Sequence, residues 1–108
     1  MLRFWIGIAG IGGLLSVGTV FAGQKEDVVR GKALVELNCA RCHAVGRTGE
    51  SSHPSAPPFR TLSQRSPIDA LEEAFAEGIS TGHLDMPEFR ATPEQINAIL
   101  AYIDILNE

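Results

Sequence analysis

Only two of the 108 residues are cysteine, and both fall within Cys39-Ala40-Arg41-Cys42-His43. A structural zinc site wants four ligands, usually with a second Cys or His pair at motif spacing. The remaining histidines, His53 and His83, stand apart from each other, so half of such a site is missing. No strand-like alternation flanks the cysteines, which removes the βαβ setting expected of a redox dithiol. Basic charge is short as well: 9 Lys and Arg stand against 13 Asp and Glu, for a net −4. That balance excludes a nucleic-acid binder. Lysine is scarcest, with Lys25 and Lys32 alone, so no lysine ring exists to dock on an acidic surface, and partners should be basic or apolar at the contact. The single tryptophan, Trp5, lies in the apolar N-terminal stretch, and Met86 is the only methionine after Met1.

Residues 1–22 carry one charge, Arg3, followed by the apolar run Phe4 to Leu15 and the ending Val20-Phe21-Ala22. This pattern reads as an export signal cut after Ala22, and its glycines and Val-x-Ala ending favour cleavage. The alternative is an uncleaved anchor, since Phe4 to Ala22 approaches the roughly 20 residues that span a bilayer. On either reading residues 23–108 form one exported domain, and a membrane is involved only if the segment is retained. Losing Arg3 makes that domain one unit more negative than the whole chain. A domain of this size buries only about 60% of its unfolded surface, so its core is thin without added apolar volume.

What is present answers that shortage. Cys39-Ala40-Arg41-Cys42-His43 spells C-x-x-C-H, the attachment site of a c-type haem. Two thiols at this spacing reach the two vinyl groups on one porphyrin edge, and the histidine after the second thiol is carried under the iron as proximal ligand.

The remaining periodicity predicts three helices and no strand. The first runs from about Glu26 to Asn38, with Val29, Ala33 and Leu37 at i, i+4 and i+8 as its apolar face, and delivers Cys39 from its end. Gly31 inside it costs about 1 kcal/mol against alanine, which points to close approach of another helix. A second begins at Ser66-Pro67-Ile68-Asp69, with Ser66 as cap and Pro67 at the first helical position, and Ile68, Leu71 and Phe75 on one face before Gly78 closes it. The third opens on Thr92-Pro93-Glu94-Gln95, a capping box, and repeats Ile96, Ile99, Leu100, Ile103 and Leu106 to the end, with Tyr102 at the edge of that stripe.

Two irregular segments join these helices. From Ala44 to Arg65 the chain is rich in Gly, Ser and Pro and reads as a long loop. Its stiff Ala56-Pro57-Pro58-Phe59 segment can bring a proline carbonyl to the second ring nitrogen of His43, fixing the ring, or can serve only as a stiffener. From Gly78 to Phe89 lies a second loop that holds Met86, biased to an extended conformation by Pro87. Met86 is therefore the sixth-ligand candidate, with His83 as its competitor. His53 has no evident partner and is expected to face solvent.

A capped helix with a glycine eight residues before the first cysteine, C-x-x-C-H, a proline loop, Met86-Pro87 and a final helix carrying Ala101-Tyr102-Ile103 together resemble the class I c-type cytochromes, in particular the shorter bacterial monohaem members. The likeness spans nearly all of residues 23–108. It implies an all-α fold of three main helices around one covalent haem c, with the N- and C-terminal helices crossing near Gly31 and Ala101-Tyr102. It further implies thioethers at Cys39 and Cys42, axial His43 and Met86, the carbonyl of Pro57 on the proximal histidine, and a monomeric carrier shuttling single electrons between redox proteins of the bacterial periplasm, not an enzyme. The lack of a tryptophan after residue 22 departs from many relatives, which use one to bond a haem propionate, and Arg60 or Arg65 is expected to replace it. Two alternatives stand beside this: a gas sensor or peroxidase with a labile sixth ligand, and an electron-transfer subunit of a larger oxidoreductase.

Overall fold

A computed structural model describes residues 9–78 and 85–108, with side chains from Gly23 onward. His83 lies outside the described residues. The order is α1 (Ala9–Asn38), a 3₁₀ helix (Phe59–Gln64), α2 (Ile68–Glu77) and α3 (Pro93–Leu106). The domain is all-α, as expected, with α1 starting well before Glu26. Gln24-Lys25-Glu26 are good helix formers and no proline interrupts the run, so nothing in the backbone stops the helix at Gly23.

The centre of the fold is the contact of α1 with α3. Gly31 is buried there, and a Cβ built on it would overlap the carbonyl oxygen of Ala98, 2.5 Å from that group's carbon and 3.0 Å from the Cβ of Tyr102. The crossing thus uses Ala98 and Tyr102, one turn of α3 around the position expected. Val35, Ile99 and Ile103 are fully buried around it, joined by Ile96, Tyr102 and Leu106, with Val28 and Leu34 at the margin.

This corrects the expected face of α1. Val29 and Leu37 are 69% and 82% exposed, and Ala33 is exposed with them. Val28, Gly31 and Val35, at i, i+3 and i+7, form the buried stripe instead. Backbone approach at Gly31 decides the rotation of the helix, because a glycine admits α3 where Ala33 or Leu37 would hold it off.

Helix ends follow local chemistry with one exception. Thr92 Oγ1 accepts from the Gln95 amide at 3.2 Å and the Gln95 side chain accepts from the Thr92 amide at 2.9 Å, so the capping box is complete. At α2 the expected Ser66 cap is absent: Pro67 itself is the N-cap, its carbonyl receives the Ala70 amide, and no side chain caps the end. Ile68, Leu71 and Phe75 face the core, and Gly78 ends the helix at φ 87°. The ring of Phe75 meets Phe89 edge-on at 6.2 Å, which ties α2 to the segment after Met86.

The long loop is also more regular than its composition suggests. Phe59–Gln64 forms the 3₁₀ helix, with Phe59 buried. Asn107 clamps it to α3: its Nδ2 donates to the carbonyls of Phe59 and Ile103, and its Oδ1 accepts from the Ser63 amide. Tyr102, expected at an edge, is 5% exposed and donates from its hydroxyl to the Val45 carbonyl at 2.6 Å. The phenol fastens the start of the loop, which draws the ring inward.

Candidate functional site

The C-x-x-C-H segment continues the last turn of α1. The Cys39 amide donates to Val35 O, and the amides of Cys42 and His43 both donate to Cys39 O, at 3.2 and 3.0 Å. One turn therefore presents two half-buried thiols and an imidazole at the helix end. Burial pushes the Cys39 thiol up to about 11. A redox dithiol needs the opposite, a thiol whose acidity is enhanced. Among the described residues no group of three or more His, Cys, Asp and Glu side chains is placed to hold a metal ion, so the zinc reading finds no support there either.

His43 is oriented from two sides. Its ring lies 4.9 Å from that of Phe59, tilted by 50°, and its Nδ1 is 2.8 Å from the carbonyl oxygen of Pro57. A carbonyl only accepts, so Nδ1 carries the proton and donates it, leaving the Nε2 lone pair of the neutral ring available to a metal. The adjacent Pro58 carbonyl is occupied otherwise, accepting from the amide and hydroxyl of Thr61. The loop is pinned back on the motif by Phe59, whose amide donates to Ala44 O, and by Ser51, whose hydroxyl accepts from the Ala44 amide.

Met86 is half-buried and packs at the margin of the core together with Phe89. Arg60 is half-buried, and its Nη1 is a buried donor with no hydrogen-bond partner among the described residues. Such a group is costly to leave unmet, and an acceptor of the kind a haem propionate offers would meet it. Arg65 is exposed. The thiol pair, the oriented imidazole, the thioether at the core's edge and the orphaned guanidinium donor all fit a haem c.

Sequence reasoning missed one link. His53, expected in solvent without a partner, is half-buried and its Nε2 lies 3.0 Å from Oδ2 of Asp85, next to Met86. Nothing in the local pattern of either residue signals a pairing across 32 positions.

Neither the curated proteins nor the solved structures compared with the chain give a match. A family model described as cytochrome C oxidase, cbb3-type, subunit III matches residues 26–103, from the domain portion of α1 through most of α3. A domain that presents C-x-x-C-H at the end of one helix, crosses that helix with its last at a buried glycine, and matches this model nearly end to end belongs to the cbb3-type subunit III family of c-type cytochromes, which bind covalent haem c and transfer electrons through it to redox protein partners.

Proposed function

We propose that this chain is an exported monohaem electron carrier, with thioethers at Cys39 and Cys42 and the iron held between His43 and Met86. The carrying observation is the 2.8 Å bond from His43 Nδ1 to the Pro57 carbonyl, which leaves Nε2 as the donor atom on the proximal side. When bound, the haem supplies a one-electron couple. The protein's residues do the rest. Pro57 and Phe59 hold the His43 ring in one orientation, and a hydrogen-bonded histidine is a stronger and better placed ligand. Pro87 disfavours helical backbone at Met86, and Met86 packs against the core margin, where its thioether would serve the second face of the iron. With His43 and Met86 both engaged no position remains open for a substrate, so the protein carries electrons and catalyses nothing. Arg60 offers its unmet donor to a propionate, taking the place of the tryptophan that the domain lacks.

The export reading rests on residues 1–22 and on the loading of this motif on exported chains, which together support a periplasmic carrier. Among the described residues no helix is long and apolar enough to cross a membrane. A second reading, an electron-transfer subunit of a larger oxidoreductase, is favoured by the description of the matched family.

Visible spectra test the site. The expected result is sharp bands in the reduced protein that carbon monoxide does not alter, with a methionine-to-iron charge-transfer band at the red end of the oxidised spectrum that Met86→Ala abolishes. A carbon-monoxide shift in the unmodified protein would overturn the carrier and favour gas sensing or peroxidase chemistry. Copurification of the native chain with other redox subunits would decide for the second reading.

A further inference from the structure

The loop that follows the haem motif and the loop that carries Met86 meet at His53 and Asp85. His53 is anchored to the first loop at several points: its amide donates to the Cys42 carbonyl at 3.1 Å, its carbonyl accepts from the Ala56 amide, and its Nδ1 accepts from the Ser55 amide at 3.0 Å. Because Nδ1 accepts a backbone N–H, the proton of the neutral ring is on Nε2. That N–H donates to Oδ2 of Asp85 at 3.0 Å. The His53 side chain is 26% exposed and that of Asp85 67%. Most of the ordering is therefore borne by an imidazole already held by its own loop, and little additional freedom is lost when the carboxylate docks on it. Asp85 directly precedes Met86, so the contact fixes the backbone one residue from the thioether and ties it to the carbonyl of Cys42, one residue from His43.

We infer that His53 and Asp85 form a strap that holds the Met86 loop across the haem, with His53 as a positioning residue for the sixth ligand. This rests on Met86 being that ligand. The strap acts through distance and orientation: cutting it lets the Met86 backbone swing away more often, and the exposed position of Asp85 sets the scale of the effect.

The test uses haem-loaded protein and the rate at which cyanide binds the oxidised iron, a reaction that requires the methionine to leave first. His53→Asn keeps a side-chain acceptor for the Ser55 amide but removes the donor that reaches Asp85. His53→Gln retains a donor near the Nε2 position. Asp85→Ala removes the acceptor. An exposed charge-assisted hydrogen bond implies that His53→Asn and Asp85→Ala each speed cyanide binding about two- to fivefold. The double variant should be no faster than either single one, and His53→Gln should stay near the parent rate, with the charge-transfer band weakened only in the cut variants. Parent rates in both cut variants, or additive effects in the double variant, overturn the strap while Met86→Ala still abolishes the band. If Met86→Ala leaves the band in place, the ligand assignment fails and the strap falls with it.

Discussion

Replacing Gly31 with alanine separates two accounts of that glycine by the sign of the result. In a helix that merely tolerates glycine, alanine gains about 1 kcal/mol of propensity. At Gly31 the new methyl would overlap the Ala98 carbonyl and press on the Tyr102 Cβ. The obstructing atoms are backbone of α3, which cannot rotate away like the end of a flexible side chain. The helices must separate, loosening Val35, Ile99 and Ile103, the largest fully buried side chains among the described residues. Overpacking of a tight core costs typically 1–3 kcal/mol, and the severity of this overlap places it at or above the top of that range. Less the propensity gain, the net loss is about 2 kcal/mol, or roughly 10 °C in melting temperature for a domain of this size. Urea unfolding of haem-loaded protein, followed in the far ultraviolet and at the haem band, measures it. Gly46→Ala is the control, since a Cβ there meets nothing within 4 Å, and it should stay within about 0.5 kcal/mol of the parent. A Gly31→Ala protein as stable as the parent, or more so, would refute the close crossing.

Thr92→Ala removes one half of the capping box and should cost about 1 kcal/mol in the same urea assay. Arg60→Gln should lower the midpoint potential and alter its pH dependence in a redox titration, because a positive charge beside the haem favours the reduced state, while Arg65→Gln at its exposed position should leave both unchanged. Tyr102→Phe strands the Val45 carbonyl and should cost about 1–2 kcal/mol at neutral pH. The same residue sets a stability limit in base. Burial first, and then the Glu36 carboxylate, raise the Tyr102 phenol above its ordinary value, against a smaller opposing pull from Arg47. A raised phenol favours the protonated fold, so this contribution is complete below the ordinary tyrosine range near pH 10 and is lost as pH rises through the higher folded value. Stability measured from pH 8 upward should decline in the parent above about pH 10, and Tyr102→Phe should flatten that decline.

Local chemistry was legible in the chain where a few neighbouring residues suffice to specify it. Thr92-Pro93-Glu94-Gln95 carries the whole of a capping box, and Ile96, Ile99, Ile103 and Leu106 need only helical spacing to define a buried stripe. Cys39, Cys42 and His43 come from one turn, so their common placement at the end of α1 follows from their numbers alone. The same periodicity failed on α1. Val29, Ala33 and Leu37 are as well spaced as the true face, and only the fit of α3 into Gly31 chooses between them.

By itself, then, the sequence determined an all-helical domain, one haem motif and the capped start of α3, because each depends on residues within a turn or two of one another. Gly31 marked a close approach, but its partners Ala98 and Tyr102 lie far along the chain, and only the resemblance pointed to that region. The resemblance pointed to the Pro57 carbonyl that meets His43, and the tertiary structure alone decided that Tyr102 turns inward to Val45, that Asn107 grips the 3₁₀ helix, and that His53 reaches Asp85. These contacts join positions 14 to 57 residues apart. Their partners are selected by how the loops pack over the core, and no local propensity carries that information.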